Sequence, residues 1–472
     1  MKTSGFPSLT PCMSNFPPLV SHTRSSKSHH PIVDDELSIS EILSRLPVES
    51  LMRFKLVCKR WRSLIQKDDH FIDLHHTWSQ TRKSLLICPP TMYTYRKKCY
   101  LLAELLIPDE GSGGGVTVHK KIPDVDRPNA SLLRPLNGLF CFVDGEGAAV
   151  CVQNPSTRES TPWIKSIIKQ QHEDEGKVIE LIDEHGNLVK YDVAYRNYDW
   201  KFGFDPATKE HKVIFLWVKR LSNWRLGRRE EWFCEVLTVR QNSWRTIDAV
   251  PPVSPLSLAC SLSTYANGSI CWLHYGPRED EDPSIVEFSV GNEMFRVIPL
   301  PKFIMSDIRV PYEDGNTVTE VNGHLVLLAK KVRRSDNTSD WIKNDDSSMK
   351  MCILYNNDQL VQRKKDTGCG SFTCSAVDDN SNCYWLEDSF LMPPLDWKQE
   401  SFDCILPIPG TDLMIVKSSD ACFFYFYNWK KKSFSNKFRI NGLNLFVNEK
   451  ACETPIEELK CWIVEESFLR VN

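Results

Sequence analysis

The sequence has no long hydrophobic run. Of its 472 residues, 41% are hydrophobic and 25% are charged, a composition that is ordinary for a globular protein. No stretch carries the consecutive apolar residues that a transmembrane helix or a signal peptide requires, and we therefore expect no membrane partner. The 17 cysteines are scattered and odd in number. Without a secretory signal, they favour reduced thiols and a location in the cytosol or the nucleus.

Motifs for catalysis and for cofactor binding are also missing. The chain contains no Gly-x-Ser-x-Gly elbow, no His-Glu-x-x-His pair and no calcium loop. Cys369, Cys374 and Cys383 form the densest cysteine cluster, but their spacing fits no common zinc site. The glycine-rich run at 111–115 lacks the Lys-Ser/Thr of a phosphate-binding loop. We predict that the protein is not an enzyme and that it holds no metal and no cofactor.

Charge gives little support for a nucleic-acid partner. The net charge is −3, and the basic triplets at 96–98 and 430–432 are short enough to be solvated turns. The pair His75-His76 is a weak candidate for a metal site, and we expect it on the surface. Residues 1–33 are rich in Ser, Pro and His and are predicted to form a disordered tail.

Residues 34–78 have the pattern of a short helical module. Ser38 followed by Glu41 predicts a capping box at a helix start, and Pro47 ends that helix because it donates no backbone hydrogen bond. Apolar residues at helical spacing line one face of each of three predicted helices: Ile39, Ile42, Leu43 and Leu46; Leu51 and Phe54; Val57, Trp61, Leu64 and Ile65. Helices this short need a partner or a neighbouring domain for stability.

The polar face of the module is basic. Between Arg45 and Lys67 the single acid is Glu49. The basic residues of this stretch are Arg45, Arg53, Lys55, Lys59, Arg60, Arg62 and Lys67. We expect such a face to attract and orient an acidic partner surface.

The stretch 41–51, followed by Arg53-Phe54 and by 57–65, resembles an F-box, most closely that of the plant family. The F-box is the motif through which receptors of Skp/cullin/F-box (SCF) ubiquitin ligases dock onto the Skp adaptor. The resemblance implies binding to a Skp-type adaptor and, through it, to cullin. The implied adaptor-binding residues are Ile42, Leu43, Leu46, Pro47, Leu51, Phe54, Val57, Cys58, Trp61 and Leu64. One departure is that Asp34-Asp35 stand where the family usually has Leu-Pro.

From about residue 84 the sequence changes to short runs of β-branched and aromatic residues separated by turns. Asn-Gly pairs, which favour turns with positive φ, open three runs: Asn137-Gly138, Asn267-Gly268 and Asn322-Gly323. A second set of turns follows other strands, at 154–159, 205–210, 240–244, 291–295 and 428–434. The turn spacing is near the length of a four-stranded blade, about 40–50 residues. Residues 79–472 are therefore predicted to form an all-β, degenerate β-propeller of about six to eight blades.

The expected fold class is α+β multidomain, with a three-helix module at 34–78 ahead of the β domain at 79–472. Segments of the β domain resemble the F-box-associated domain of the plant family up to about residue 330. The matching segments are 136–139, 154–159, 202–206, 212–214, 235–237, 242–245 and 288–301. The double-Gly signature of kelch repeats is absent, which makes a kelch ring the less favoured subtype.

The two resemblances imply a substrate-recognition subunit of an SCF-type ubiquitin ligase, whose β domain binds an unidentified target protein. The segment 220–231, interpreted as a loop, is the predicted target surface because Trp and Arg are enriched at interaction hot spots; a solvated blade connection is the alternative. The candidate residues are Trp224, Arg225, Arg228 and Arg229. Two other functions stay open: a propeller that binds a glycan or another small ligand, and an F-box protein that acts without cullin.

Overall fold

The computed structural model describes the helices and strands from residue 35 onward. It covers residues 35–471 except 89–98, 109–113, 124, 128, 172–177, 183–187, 224–226, 254–262, 275–281, 302–316, 331–332, 335–340, 343–347, 357–373, 377–382, 392–401, 419–423, 436, 443–459 and 470. Four helices come first: α1 Asp35–Ser44, α2 Val48–Phe54, α3 Lys59–Lys67 and α4 Asp69–Ser79. We call these four the helical module. The predicted tail, the triplet at 96–98 and Cys369 lie outside the described residues.

The limits of α1 follow from its sequence, with one correction. Pro47 comes after the helix in an extended conformation, with ψ at 148°, and it separates α1 from α2 as predicted. The helix already includes Asp35, so Ser38 and Glu41 lie inside it, and the predicted capping box at its start is wrong.

The helical module has one helix more than predicted. The break between α3 and α4 is at Asp68, whose Oδ1 accepts a hydrogen bond from Phe71 N at 2.8 Å. Such an N-cap satisfies one of the free donors at the start of α4. α3 starts similarly, because Cys58 Sγ accepts a hydrogen bond from Trp61 N at 3.4 Å. The described module therefore contains four helices rather than three.

The strands form six main sheets, which follow one another along the chain and which we number as blades 1–6. Blade 1 starts with β1 Lys83–Cys88, β2 Leu101–Leu106 and β3 Gly115–Lys121. Blade 2 has β4 Ser131–Leu132, β5 Phe140–Asp144, β6 Ala149–Asn154, β7 Glu159–Ser160 and β8 Ile164–Lys165, followed by helix α5 Ile167–Gln171. Blade 3 has β9 Val178–Ile182, β10 Leu188–Asp205, β11 Glu210–Asn223, β12 Gly227–Thr238 and β13 Ser243–Ile247.

The remaining blades have the same antiparallel order. Blade 4 has β14 Ser263–Ala266, β15 Ser269–His274, β16 Ser284–Ser289 and β17 Met294–Pro299. Blade 5 has β18 Thr317–Val321, β19 His324–Lys330, β22 Ser348–Asn356, β23 Cys374–Ala376 and β24 Cys383–Leu391, with a separate hairpin of β20 Arg333–Arg334 and β21 Trp341–Ile342. Blade 6 has β25 Phe402–Pro407, β26 Leu413–Ser418, β27 Phe424–Asn428 and β28 Ser433–Phe434.

The last two strands return to blade 1. β29 Ile440–Asn441 pairs parallel with β3, and β30 Lys460–Glu465 pairs antiparallel with β1. The end of the strand series thus completes the first sheet, which closes the ring and protects strand edges. The structure confirms the all-β propeller prediction and shows six blades in its described part.

The predicted turns at Asn267 and Asn322 join strands within blades 4 and 5, and the side chains of these two residues contact the next blade. Asn137, Asn267 and Asn322 all have positive φ, at 50°, 47° and 49°, as such turns require. Asn267 Nδ2 donates to the Gly323 carbonyl oxygen of the next blade. Asn322 Oδ1 in turn accepts from Gly410 N of blade 6 at 3.1 Å. The residues that turn the chain therefore also join the blades.

Alternate residues of β11 pack against different neighbouring blades. In β11, Phe215 and Trp217 belong to an apolar cluster shared with blade 2. Ile214 and Leu216, on the other face, belong to a cluster shared with Trp272 of blade 4. A strand buried on both faces is apolar without interruption, which explains the continuous hydrophobic run in β11.

Candidate functional site

Three exposed apolar side chains mark the surface of the helical module. Ile42 of α1 is 64% exposed, and Leu56 and Val57, in the turn between α2 and α3, are 86% and 62% exposed. The module packs around a separate apolar core of Leu43, Val48, Leu51, Ile65, Phe71 and Phe468. The three exposed side chains are not part of this core, so their apolar surface is available to a partner.

The structure separates the predicted adaptor-binding residues into three groups. Leu43 and Leu51 are 3% and 0% exposed, so the structure assigns them to the module's own core rather than to a contact surface. Helical periodicity cannot distinguish these two roles. Four residues are exposed, namely Ile42, Pro47, Val57 and Cys58, and four are partly buried, namely Leu46, Phe54, Trp61 and Leu64. Leu56 was not among the predicted residues, because it lies between two helices and outside any periodic pattern.

Basic side chains surround the start of α3. Lys59, Arg60 and Arg62 are exposed, and the first turn of α3 contains no acidic residue. Positive charge at a helix N-terminus opposes the helix dipole and lowers helix stability. An acidic partner surface next to Val57 and Cys58 would offset this cost. The predicted basic face is therefore next to the exposed apolar residues.

His75 lies in the core of the helical module, and its predicted surface position is wrong. Its side chain is 0% exposed, and its Nε2 donates to the Leu46 carbonyl oxygen at 3.1 Å. The rings of Phe71 and Phe468 lie 6.5 and 4.7 Å away, centroid to centroid. Burial lowers the pKa of His75 from 6.5 to about 4. His75 is buried because α4 places it one turn after the buried Phe71.

The segment 220–231 is the end of a long hairpin, and its prediction as a loop is wrong. β11 and β12 pair without interruption up to Asn223 and Gly227, so residues 224–226 alone connect them. Two cross-strand ion pairs support the extension: Lys219–Glu231 at 3.0 Å and Arg220–Glu230 at 2.8 Å. Opposite charges facing each other across an antiparallel pair stabilise it, and sequence analysis took them for a polar loop.

The four predicted target-binding residues are only partly described. Trp224, Arg225 and the side chain of Arg228 lie outside the described residues. Arg229 is exposed and is paired in register with Leu221 of β11. Their contact with a target protein therefore stays a prediction.

This hairpin belongs to a projection of blade 3 that we call the β-arm, comprising residues 178–182, 188–198, 218–223 and 227–233. β10 has 18 residues, which corresponds to about 60 Å at roughly 3.3 Å per residue. The turn after β10 lies beside the helical module, where Lys209 Nζ is 2.6 Å from Asp73 Oδ2 of α4. Leu188 begins β10 at its other end. The tip of the β-arm therefore points away from the helical module.

A shallow cleft lies between blades 2 and 3. It has a volume of about 510 Å³ and is lined by Trp163, Lys165, Gln170, Asn242 and Trp244 among others. The guanidinium of Arg127 covers the ring of Trp163 at 4.5 Å, and Trp244 is 6% exposed. Sugar sites commonly contain convergent carboxylates, and no Asp or Glu is among the residues that line this cleft.

The described residues contain neither a metal-binding cluster nor a membrane-spanning helix. No cluster of three or more His, Cys, Asp or Glu side chains there is arranged to hold a metal ion. Among the helices in the described part of the chain, none is long and apolar enough to cross a membrane.

Comparisons with known proteins agree with this architecture. Residues 107–363 match the F-box associated beta propeller domain, and residues 35–73 match the F-box domain. An F-box/kelch-repeat protein of Arabidopsis thaliana is 25% identical over 328 residues, covering 68% of this chain and 68% of its own length. Two putative F-box proteins of the same plant are 28% and 24% identical, covering 58% and 77% of this chain and 61% and 81% of their own lengths.

Proposed function

The chain belongs to the F-box proteins that carry an F-box-associated β-propeller domain, and we propose that it is the substrate-recognition subunit of an SCF-type ubiquitin ligase. Its helical module docks on a Skp-type adaptor, and cullin joins through that adaptor. Its propeller binds a target protein. Members of this family are typically non-catalytic, and we propose the same for this chain.

The observation that carries the docking role is the exposed apolar set on a module whose core is already packed. Ile42, Leu56 and Val57 remain exposed, although six other residues already form a core. Burial of such side chains gains about 25 cal/mol per Å² of apolar area. The adjoining Lys59 and Arg60 would orient an acidic adaptor surface during approach. The F-box match at residues 35–73 supports this reading.

The proposed mechanism uses position rather than catalytic groups. Ubiquitin transfer is performed by other subunits, and the receptor raises the effective concentration of a target lysine near the reactive thioester. The β-arm points away from the helical module, so a target bound there does not compete with the adaptor for space. We propose the arm as the target surface because exposed charged residues such as Arg229 occur on it.

The proposed location is the cytosol or the nucleus, where the cysteines remain reduced. Cys141, Cys234 and Cys271 of the propeller form no disulfide bond, and burial raises the pKa of all three above the ordinary value. Buried thiols of this kind are poor nucleophiles, in agreement with a non-catalytic role for these three.

Reconstitution with purified components tests the proposal. The full chain is mixed with a plant Skp-type adaptor and cullin and then separated by size-exclusion chromatography. We expect the three proteins to elute together. Elution of the chain apart from the adaptor would refute the proposal. Elution with the adaptor but without cullin would refute the ligase role and would favour the cullin-independent alternative.

A further inference from the structure

The core of the helical module is completed by the other end of the chain. Phe468 is 7% exposed and packs in the same cluster as Leu43, Leu51 and Phe71. Two residues earlier, Glu466 Oε2 accepts a hydrogen bond from the backbone N of Val48, at 3.1 Å. Because Pro47 supplies no side-chain cap to α2, this distant carboxylate takes the place of a capping residue.

The residues around Phe468 contact both the propeller and the helical module. Glu465 accepts from Lys83 Nζ of β1 at 3.0 Å. The carbonyl oxygens of Ser467 and Leu469 both accept from Asn154 Nδ2, at 2.8 and 3.0 Å. The carbonyl oxygens of Ser467 and Leu469 therefore face the propeller, whereas the side chains of Glu466 and Phe468 face the helical module. Glu465 contacts both parts, since its Oε1 also lies 4.0 Å from His76 Nδ1 of α4.

Asn154 is built to hold this segment. Its side chain is 0% exposed, its amide nitrogen donates to two carbonyl oxygens of the segment, and its Oδ1 accepts from Ser156 N and Thr157 N at 2.9 and 3.2 Å. Gly138 gives the segment room to pass. A Cβ atom at Gly138 would lie 2.5 Å from Ser467 Cβ, well inside van der Waals contact.

We propose that residues 465–469 form a positioning strap, through which the propeller holds the F-box in one orientation. Glu466 and Phe468 are the positioning residues, since they act on docking through the F-box rather than by touching a partner. The functional part of this inference rests on the proposed docking role. A fixed orientation would keep a propeller-bound target at a defined distance from the adaptor, which raises the effective concentration of its lysines.

A contact between the F-box and blade 3 reports on this orientation. Asp73 and Lys209 lie 2.6 Å apart and are both more than half exposed, so a carbodiimide can join them in an amide bond. The pair Glu180–Lys190, at 3.2 Å within the β-arm, reacts in the same way and serves as an internal reference. Mass spectrometry gives the ratio of the two cross-linked products in the full chain.

The first variant is Asn154→Asp. It keeps an acceptor for Ser156 N and Thr157 N but places a carboxylate oxygen against the two strap carbonyls, and it changes no residue of the F-box. Asn428→Asp is the matched control, because Asn428 Oδ1 accepts from Lys431 N in an equivalent turn of blade 6. We expect Asn154→Asp to lower the cross-link ratio more than threefold and the control to leave it unchanged. A ratio within threefold of the unaltered chain would overturn the strap.

The second pair of variants tests Phe468 itself. We expect Phe468→Ala to lower the ratio more than threefold and Phe468→Leu, which keeps an apolar side chain in the core, to preserve it. Equal ratios for the two variants would overturn the positioning role. Adaptor binding is measured on the same samples. Failure of the unaltered chain to bind an adaptor would refute the proposed function, whereas the cross-link ratio would still decide the strap.

Discussion

The ring of Phe468 lies edge-on to the ring of His75, with 4.7 Å between their centroids. One residue belongs to α4 of the F-box and the other follows the final strand of the propeller, so this contact joins the two ends of the chain. As a consequence, each domain covers apolar side chains that belong to the other. Phe468 would be exposed in an isolated propeller, and the core of an isolated F-box would contain a cavity.

The first prediction concerns the pH dependence of the F-box. Burial holds the pKa of His75 at about 4, below its ordinary value of 6.5. The folded state therefore binds fewer protons than the unfolded state between these values. The stability contributed by neutral His75 is fully present above pH 6.5 and is lost as pH falls towards 4, by up to about 1.4 kcal/mol per pH unit. Arg82 and His76 act in the same direction as burial.

Amide hydrogen exchange in α4, compared at pH 7 and pH 5 after correction for intrinsic rates, measures this effect. We expect α4 to be less protected at pH 5. His75→Gln, which keeps a donor for the Leu46 carbonyl, should remove most of the difference, and the exposed His70→Gln should not. An equal pH response in both variants would contradict the assignment.

The second prediction concerns a buried carboxylate that joins blades 2 and 3. Glu235 is 0% exposed and accepts hydrogen bonds from Ile168 N at 3.0 Å and Trp217 Nε1 at 2.8 Å, as well as from the Ser166 hydroxyl. Glu235→Ala would leave these donors buried without an acceptor, at a cost of about 2–4 kcal/mol.

Urea unfolding followed by tryptophan fluorescence measures the cost at Glu235. The control is Glu231→Ala on the same strand, which removes a partly exposed ion pair with Lys219 and should cost less than about 1 kcal/mol. Similar midpoints for the two variants would show that the Glu235 contacts contribute little.

The third prediction concerns the propeller without its F-box. A fragment of residues 80–472 should give a β-dominated circular dichroism spectrum, because each pair of neighbouring blades encloses its own apolar cluster, as Phe215 and Trp217 do. Phe468 would be exposed in this fragment, so we expect self-association that Phe468→Ser reduces. A helix-dominated spectrum would contradict the domain assignment, and association unaffected by Phe468→Ser would contradict the role of this residue.

The fourth prediction concerns the β-arm. Reversing charge at Arg228 and Arg229 together, to Glu, should reduce capture of target proteins in proximity labelling by more than fivefold and leave adaptor binding unchanged, because the arm points away from the F-box. Lys212→Glu is unsuitable as a control, since Lys212 is buried against Glu293. Exposed Lys430→Glu on blade 6 is suitable, and an equal loss of target with it would contradict the arm as the target surface.

Local patterns predicted the parts of the fold that depend on local chemistry. Pro47 separated two helices, and Asn137, Asn267 and Asn322 marked turns with positive φ, because each of these effects acts within a few residues. The ring of blades followed from repeated turns. The full length of β11 and β12 did not follow, since their charged ends within 220–231 have the composition of a loop and are held as strands by the pairs Lys219–Glu231 and Arg220–Glu230.

Contacts between distant parts of the chain could not be predicted. Glu466 and Phe468 carry no sequence signal for an F-box, and Val48 lies 418 positions from Glu466. The inward direction of Leu43 and Leu51 likewise depends on which face α4 covers, and α4 itself was not predicted. The exposed Leu56 could have been found as an apolar residue in a short turn.

The affinity of the full chain for a Skp-type adaptor, measured by titration, tests the central claim most directly. Leu56 and Val57 are exposed, so Leu56→Asp and Val57→Asp leave the F-box core intact while placing charge on the proposed contact. We predict that each weakens binding at least tenfold, about 1.4 kcal/mol or more, whereas Thr77→Asp, on the exposed side of α4, changes it less than twofold. Unchanged affinity in both Leu56→Asp and Val57→Asp would contradict the docking surface described for this protein.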